Sequence, residues 1–469
     1  PMQSADGRYW IAFNGELYNH VELREALADY PFRTRTDTEV VLAAWATWGV
    51  ASLDRMLGMF AFVVWDAERG SVHAVRDRFG VKPLYIHHAE DGTLFLASEI
   101  KALHAAGVPA VPDERSWADF LAFGVYERER SSTFWAGITA LPAGSYLQHD
   151  ARGSRIATWY DLHDRTQDAY DERSAEVVSA EYLALLEDSI RLRFRADVPV
   201  GVNISGGLDS SLLLALVART RGADSADVQA FSFETGDPRY DETEWIEPML
   251  ARTLHPSTMV RLRVEDVPDL AVSVTAAQDE PFGGLPTLAY ARLFEAARER
   301  GVIVLLDGQG MDEQWAGYDY YRRAGDSTLV QGARSSHVRP EALVPEFASH
   351  ARAPRFPRPY ADDLRNLQYR DLTCTKLPRA LRFNDRISMR VACELREPFL
   401  DHRLVELAMV QPRDRKIDAH GGKRLLRELA GDLLPDATRL APKRALQTPQ
   451  REWLRGPLRA WAQERIEHA

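Results

Sequence analysis

Cysteine is scarce: the 469-residue chain has two, Cys374 and Cys393. That is too few for a disulfide framework, and the spacing is not that of a CxxC zinc or redox site. Both read as plain core thiols. Positive charge is short as well. The 58 Lys and Arg against 69 Asp and Glu leave a formal charge of −11, which argues against a general nucleic-acid or acidic-membrane binder, since such proteins draw affinity from clustered cations. No run approaches the ~18 apolar residues that span a bilayer. Pro1-Met2-Gln3-Ser4 also lacks the charged-then-apolar layout of a signal peptide, so a reduced, cytoplasmic setting is expected. The common nucleotide motifs are missing too. Gly422-Lys423 is followed by Arg424 and has no Gly five residues before it, so it is no Walker loop; Gly308-Gln309-Gly310 meets Glu313 where a dinucleotide fingerprint needs its third glycine.

What is present is an ordinary globular composition, 45% hydrophobic and 27% charged, in a chain long enough for two separately cored domains. From Arg8 to Leu103 short segments alternate with period two between turn dipeptides such as Arg69-Gly70 and Asp91-Gly92. Met59 to Trp65, Ser71 to Arg76, Leu84 to His87 and Leu94 to Ala97 read as consecutive antiparallel strands. Helices are expected at His20 to Ala28 and Thr38 to Trp48, the second with Asp37 as N-cap. This first part reads as α+β with stacked sheets. Between about Asp161 and Ala175 periodicity is lost and a linker is expected, giving domains at 1–160 and 176–469.

After a long helix, Ala180 to Phe194, apolar strand-like runs alternate with helices: Val198 to Ile204, a helix from Asp209, Ala230 to Phe233, a helix from Glu242, Thr258 to Leu262, a helix Pro286 to Arg300, and Val302 to Leu306. That alternation implies right-handed βαβ crossovers and a parallel sheet, an α/β fold. Tyr360 to Ala469 reads as largely helical.

The first strand of that series runs directly into Ser205-Gly206-Gly207-Leu208-Asp209-Ser210-Ser211 and an apolar helix. A strand, a small-residue turn and a helix N-terminus aim free backbone N–H groups and a positive dipole end at one spot, an anion site suited to phosphate. Glycines allow close approach and the serines add donors. Asp209 would repel a phosphate unless a divalent cation lies between them.

SGGLDSS after a strand resembles the pyrophosphate loop of the N-type ATP pyrophosphatases, which cleave ATP between its α and β phosphates to adenylate a carboxylate. The neighbouring segments resemble one branch of that group, the glutamine-hydrolysing asparagine synthetases, over almost the whole chain. The matching segments are Val304-Leu305-Leu306-Asp307-Gly308-Gln309-Gly310-Met311-Asp312-Glu313 with Gly317-Tyr318, Asp279-Glu280-Pro281, Tyr240-Asp241-Glu242, Glu394 to His402, and Pro442-Lys443-Arg444. The resemblance implies that Asp209 and Asp312, at the carboxyl ends of two strands, share one Mg2+ on the pyrophosphate. Lys423 and Lys443 would neutralise the leaving group. In the family the ATP base and ribose lie against the residue before the loop, the end of the next strand and the second loop. Here those are Ile204, Phe233, Asp307 and Gly308, with Ser205, Gly206, Gly207, Asp209 and Ser210 holding the phosphates. Glu394, Arg396 and Asp401 read as a buried structural ion-pair network.

In the first domain Phe13-Asn14-Gly15-Glu16-Leu17-Tyr18-Asn19 and Thr36-Asp37-Thr38-Glu39 resemble the glutamine-binding segments of an N-terminal-nucleophile amidotransferase. Asn14, Gly15, Glu16 and Asp37 supply the carboxylate, amide and close-approach groups that free glutamine needs. The family's nucleophile is a cysteine at the mature N-terminus with an arginine nearby, and both would precede Pro1. One reading is a true loss, as in the β-lactam synthetases; the intact glutamine-holding residues favour a sequence that begins inside a longer chain. Such a sequence by itself is not expected to hydrolyse glutamine.

The resemblance implies an ATP-dependent amidoligase: glutamine is hydrolysed in the first domain, ammonia crosses to the second, and an adenylated carboxylate is converted to an amide with release of AMP and pyrophosphate. The expected partners are small molecules, namely glutamine, ATP and the carboxylate acceptor, with no nucleic acid and no membrane, and a homodimer is allowed. L-aspartate is the default acceptor. Gln309 departs from the carboxylate that asparagine synthetases usually carry there, and a glutamine cannot act as a base near neutral pH. Asp307, where the family more often has a small hydroxyl residue, offers partial compensation. The alternative is amidation of another carboxylate, such as a sugar uronate or a peptide. A non-catalytic nucleotide-binding scaffold is the alternative of another class, and the presence of both Asp209 and Asp312 speaks against it.

Overall fold

The computed structural model describes residues 1–127, 130–322, 338–441, 443 and 448–468. Pro442 and Arg444 of the expected Pro-Lys-Arg motif lie outside the described residues. The chain divides into two compact units. One comprises residues 1–169 with the described part of 335–382; the other comprises the described residues of 170–334 and 383–469.

Among the described residues the first unit carries nine strands: β1 (Met2–Gln3), β2 (Tyr9–Leu17), β3 (Gly58–Asp66), β4 (Ser71–Arg76), β5 (Tyr85–His88), β6 (Leu94–Ala97), β7 (Ile138–Ala140), β8 (Ser145–Asp150) and β9 (Gly153–Thr158). They form a six-stranded sheet, β1-β2-β3-β4-β8-β9, and a three-stranded sheet, β6-β5-β7. The expectation of four consecutive antiparallel strands is therefore corrected. β3 pairs with β4, but β4 then pairs with β8, and β5 with β6 belong to the other sheet. Alternation along each strand explains the layering. Ile11, Phe62, Val64 and Val75 pack with the helix Asp37–Trp48, whereas Ala61, Ala74 and Leu147 meet Leu84, Ile86 and Leu141 of the smaller sheet. Tyr85 and Ile138 turn the other way, onto the helix Ile100–Ala105. The helix Asp37–Trp48 is capped by Thr36, whose side chain accepts from Glu39 N, and not by Asp37. The expected linker is also partly ordered, since Leu162–Thr166 is helical with Asp161 as its cap.

Among the described residues the second unit is built on five parallel strands, β10 (Val200–Asn203), β11 (Ala230–Glu234), β12 (Ser257–Arg261), β13 (Val304–Leu306) and β14 (Glu394–Arg396), in the order β12-β11-β10-β13-β14. β14 falls in the region read as helical. Its three residues are too short a run to show a period. On one face Val202 and Leu306 pack with the helices Ala175–Arg193 and Leu208–Arg221; on the other Phe231 and Leu305 pack with Leu285–Glu299 and Val267–Gln278, a helix the sequence reading left out. The expected Glu394–Arg396–Asp401 network is bridged by Arg193, whose carbonyl accepts from Arg396 and whose guanidinium lies 3.6 Å from Asp401. Arg396 pairs with Glu394 at 2.6 Å and donates to the carbonyls of Arg193 and Arg195, while Asp401 caps the helix His402–Met409 and pairs with Arg403 at 2.8 Å. Among the described residues no helix is long and apolar enough to cross a membrane. Cys374 and Cys393 are buried free thiols, and burial pushes the Cys393 thiol up to about 12.

Candidate active site

β10 and β13 are neighbours with Val202 opposite Leu306, so the loops that leave their carboxyl ends emerge side by side, where open α/β sheets take ligands. The first loop leads from Ile204 into the helix Leu208–Arg221. Within it the Ser210 hydroxyl accepts from the Ser205 backbone N–H at 3.1 Å, lies 3.2 Å from the Ser205 hydroxyl, and donates to the Gly207 carbonyl. These bonds hold the turn at the helix N-terminus. The second loop is packed onto the first: a Cβ on Gly308 would stand 3.4 Å from Ser210 N and 3.5 Å from Asp209 Cβ.

Four charged side chains converge beside these loops. The Lys423 ammonium donates to both oxygens of Asp209, at 2.7 and 2.5 Å, and lies 2.5 Å from Asp312 Oδ1. Lys443 donates to Asp312 Oδ2 at 2.5 Å. Asp209, Asp312 and Lys423 are mostly out of solvent, with side-chain exposures of 13%, 10% and 5%, whereas Lys443 is 32% exposed. Burial lifts the Asp209 carboxyl above the usual carboxylate range, against the pull of Lys423 and with the help of the Asp312 charge. At Asp312 burial acts in the same upward sense, but the two ammoniums outweigh it and hold the group low. Burial works against the Lys443 ammonium; the Asp312 charge prevails and raises it. Space is set by Gly317. A Cβ there would come within 2.0 Å of Asp312 Oδ1 and 2.3 Å of Lys423 Cε, so a side chain would push the cluster apart.

Two carboxylates that already bracket a positive charge are a fitting donor set for a hard divalent cation that draws its other oxygens from phosphate. On this observation Asp209 and Asp312 suit Mg2+.

Beside the cluster lies a cleft of about 410 Å³, lined among others by Ile204, Ser205, Ser210, Phe233, Tyr290 and Asp307. Five of these six carry over from the sequence reading; Tyr290 does not. Asp307 is buried, accepts from Gly308 N at 2.7 Å and receives a long 3.5 Å contact from Gln309 Nε2. Burial raises its carboxyl despite those donors. The Asp307 charge and burial together push the Tyr290 hydroxyl well above its usual range. Asn203, which was not among the expected site residues, also lines this cleft. An amide inside the apolar run Val200-Gly201-Val202-Asn203-Ile204 was the available signal.

The residues expected to hold glutamine lie in the first unit. Asn14, Gly15 and Glu16 follow one another along β2, and Asn14 Nδ2 donates to Ser98 Oγ at 3.1 Å. Asp37, in the first turn of its helix, accepts the Leu17 backbone N–H at 2.9 Å, which ties it to the same strand. Gly15 has φ +145°, and a Cβ there would stand 2.0 Å from the Met59 carbonyl oxygen. Only glycine lets β2 and β3 close at this point.

Residues 181–469 match the family described as asparagine synthase, and residues 1–160 match the glutamine amidotransferase domain. The chain belongs to the asparagine synthase family. With glutamine-hydrolysing asparagine synthetase 1 of Bacillus subtilis it is 26% identical over all of this chain and 80% of that protein. Asparagine synthetase 3 of the same organism is 28% identical over 91% of this chain and 74% of its own length. A relative from Penicillium rubens named as an amidase, chyE, is 29% identical over 69% of this chain and 49% of its own length. The chain thus belongs with the ATP-driven, glutamine-hydrolysing carbon–nitrogen ligases, and its amidotransferase and ligase parts follow the order that the family segments implied.

Proposed function

We propose that the second unit amidates L-aspartate to L-asparagine through an acyl-adenylate, with release of AMP and pyrophosphate. The observation that supports it most is the Asp209–Lys423–Asp312–Lys443 cluster standing beside the phosphate-type loop.

In this reading Ser205, Gly206, Gly207, Asp209 and Ser210 face the phosphates, with the hydroxyls of Ser205 and Ser210 as donors. Ile204, Phe233, Asp307 and Gly308 take the nucleoside. Mg2+, held by Asp209 and Asp312, would neutralise charge on the pyrophosphate as it leaves. Lys423 and Lys443 are cations fixed before the reaction starts, and such preorganised charges stabilise a developing negative charge without reorganisation cost. Gln309 orients the acceptor by hydrogen bonds. In the first unit Asn14, Gly15, Glu16 and Asp37 hold glutamine, whose hydrolysis supplies the ammonia. The corresponding division is a glutaminase domain over 1–160 and a synthetase domain over 176–469.

Gln309 favours one second reading, the same chemistry on another carboxylate such as a sugar uronate or a peptide, because an amide cannot take a proton from attacking ammonia. The test is an acceptor screen with free ammonia and Mg-ATP, scored by AMP and the amide product. Amide formation with L-aspartate supports the first reading. AMP formation with a different carboxylate, and none with aspartate, replaces it by the second.

A further inference from the structure

The Asn203 side chain is 5% exposed, and neither its Nδ2 nor its Oδ1 has a hydrogen-bond partner among the described residues. Its direction follows from strand alternation. Asn203 lies on the same face of β10 as Gly201, and a Cβ on Gly201 would meet the Leu305 and Phe231 side chains, which belong to the core beneath the helix Leu285–Glu299. Ala289, Tyr290 and Leu293 of that helix line the same cleft as Asn203, Ser205 and Asp307. The carboxamide therefore belongs to the helix side of a cleft that opens next to the phosphate-type loop.

A buried carboxamide with both ends unmet is costly in a folded protein, and a leucine of similar size would fill an apolar strand end without that cost. A ligand that presents a hydrogen-bond donor and an acceptor side by side satisfies both ends at once. The ring edge of adenine does so, with its exocyclic amino group next to a ring nitrogen, and Asn is the side chain that matches it in a bidentate manner.

We propose that Asn203 is a specificity-determining residue that reads the adenine edge of the nucleotide. This rests on the reading that the cleft takes the nucleoside of ATP. The carboxamide oxygen accepts from the amino group, and the carboxamide N–H donates to the adjacent ring nitrogen. A nucleotide without the amino group leaves the oxygen unmet and binds less well, since a buried site built to hydrogen-bond a group rejects the analogue lacking it.

Calorimetric titration of the whole chain with Mg-ATP and with the magnesium complex of purine riboside triphosphate, which lacks the amino group, tests this in wild type, Asn203→Leu and Asn203→Ala. Wild type is expected to prefer ATP by about 10-fold. Asn203→Leu is expected to weaken ATP binding by about 10-fold, to bind both nucleotides alike, and to melt no lower than wild type, because an unmet amide has been removed. Asn203→Ala provides the same binding readout if Leu does not pack. If wild type binds neither nucleotide, the reading of the cleft itself fails. Wild type that binds ATP, with variants that bind it as tightly and with the same preference, overturns the role of Asn203 alone.

Discussion

The Lys423 ammonium sits against both carboxylate oxygens of Asp209, at 2.7 and 2.5 Å, although 214 residues separate them in the chain. Asp312 shares the same ammonium at 2.5 Å. Two buried carboxylates are thus held together by one cation from the helical end of the unit.

Removing that cation leaves Asp209 without its ammonium partner and Asp312 paired with Lys443 alone. Lys423→Met is expected to cost about 3–5 kcal/mol of stability, read as a lower melting temperature in a thermal scan. Added Mg2+ should raise the melting temperature of the variant more than that of wild type, because a divalent ion takes over between Asp209 and Asp312. An equal response in both proteins would mean that the two carboxylates do not form a cation site.

Gln309 tests the acceptor. Gln309→Glu restores a group able to accept a proton, and general-base help is worth about 10²-fold or more. If aspartate is the acceptor, the variant should form asparagine faster from aspartate, ammonia and Mg-ATP. If aspartate stays unused and the reaction with the true acceptor slows, the second reading holds.

His255 is expected to contribute to the loss of stability in acid. It is 5% exposed with neither ring nitrogen partnered among the described residues, and burial lowers its pKa below 6.5. The unfolded chain then binds more protons than the folded one at pH values just below 6.5. The stability from a neutral His255 is therefore complete above that value and declines as pH falls through it. His255→Phe should flatten the loss of melting temperature between about pH 7.5 and pH 5.5. An unchanged slope would assign the acid sensitivity to other groups.

The sequence was most legible where chemistry and local structure coincide. The run from Val200 to Ser211 reads as strand, turn and helix because buried apolar residues, small residues and an apolar helix follow one another without interruption, and β10 with the helix Leu208–Arg221 has that form. Asp307 to Asp312 was legible through its resemblance to the family's second strand–loop segment. Features decided by distant contacts were not. Asp37 looked like a cap by residue type, yet its carboxylate is taken by Leu17 N and Thr36 does the capping. β14 has three residues, and only pairing with β13 makes it a strand. β4 and β5 lie close in sequence, but β8 occupies the edge of β4 to which a simple meander would have brought β5. Tyr290 lies on a helix whose spacing shows only that one face is apolar; its place beside Asp307 depends on the crossover that packs the helix against Phe231 of β11 and Leu305 of β13.

The proposed chemistry is tested most directly by following oxygen. With L-aspartate labelled with ¹⁸O in its side-chain carboxylate, free ammonia and Mg-ATP, an acyl-adenylate route transfers one label to AMP and releases pyrophosphate as asparagine forms. Asp209→Ala and Asp312→Ala should each lower pyrophosphate release by about 10²-fold or more, the scale on which fixed electrostatic groups act. Labelled AMP that disappears in both variants is the predicted result. Release of ADP and phosphate, unlabelled AMP, or normal turnover by either variant would contradict it.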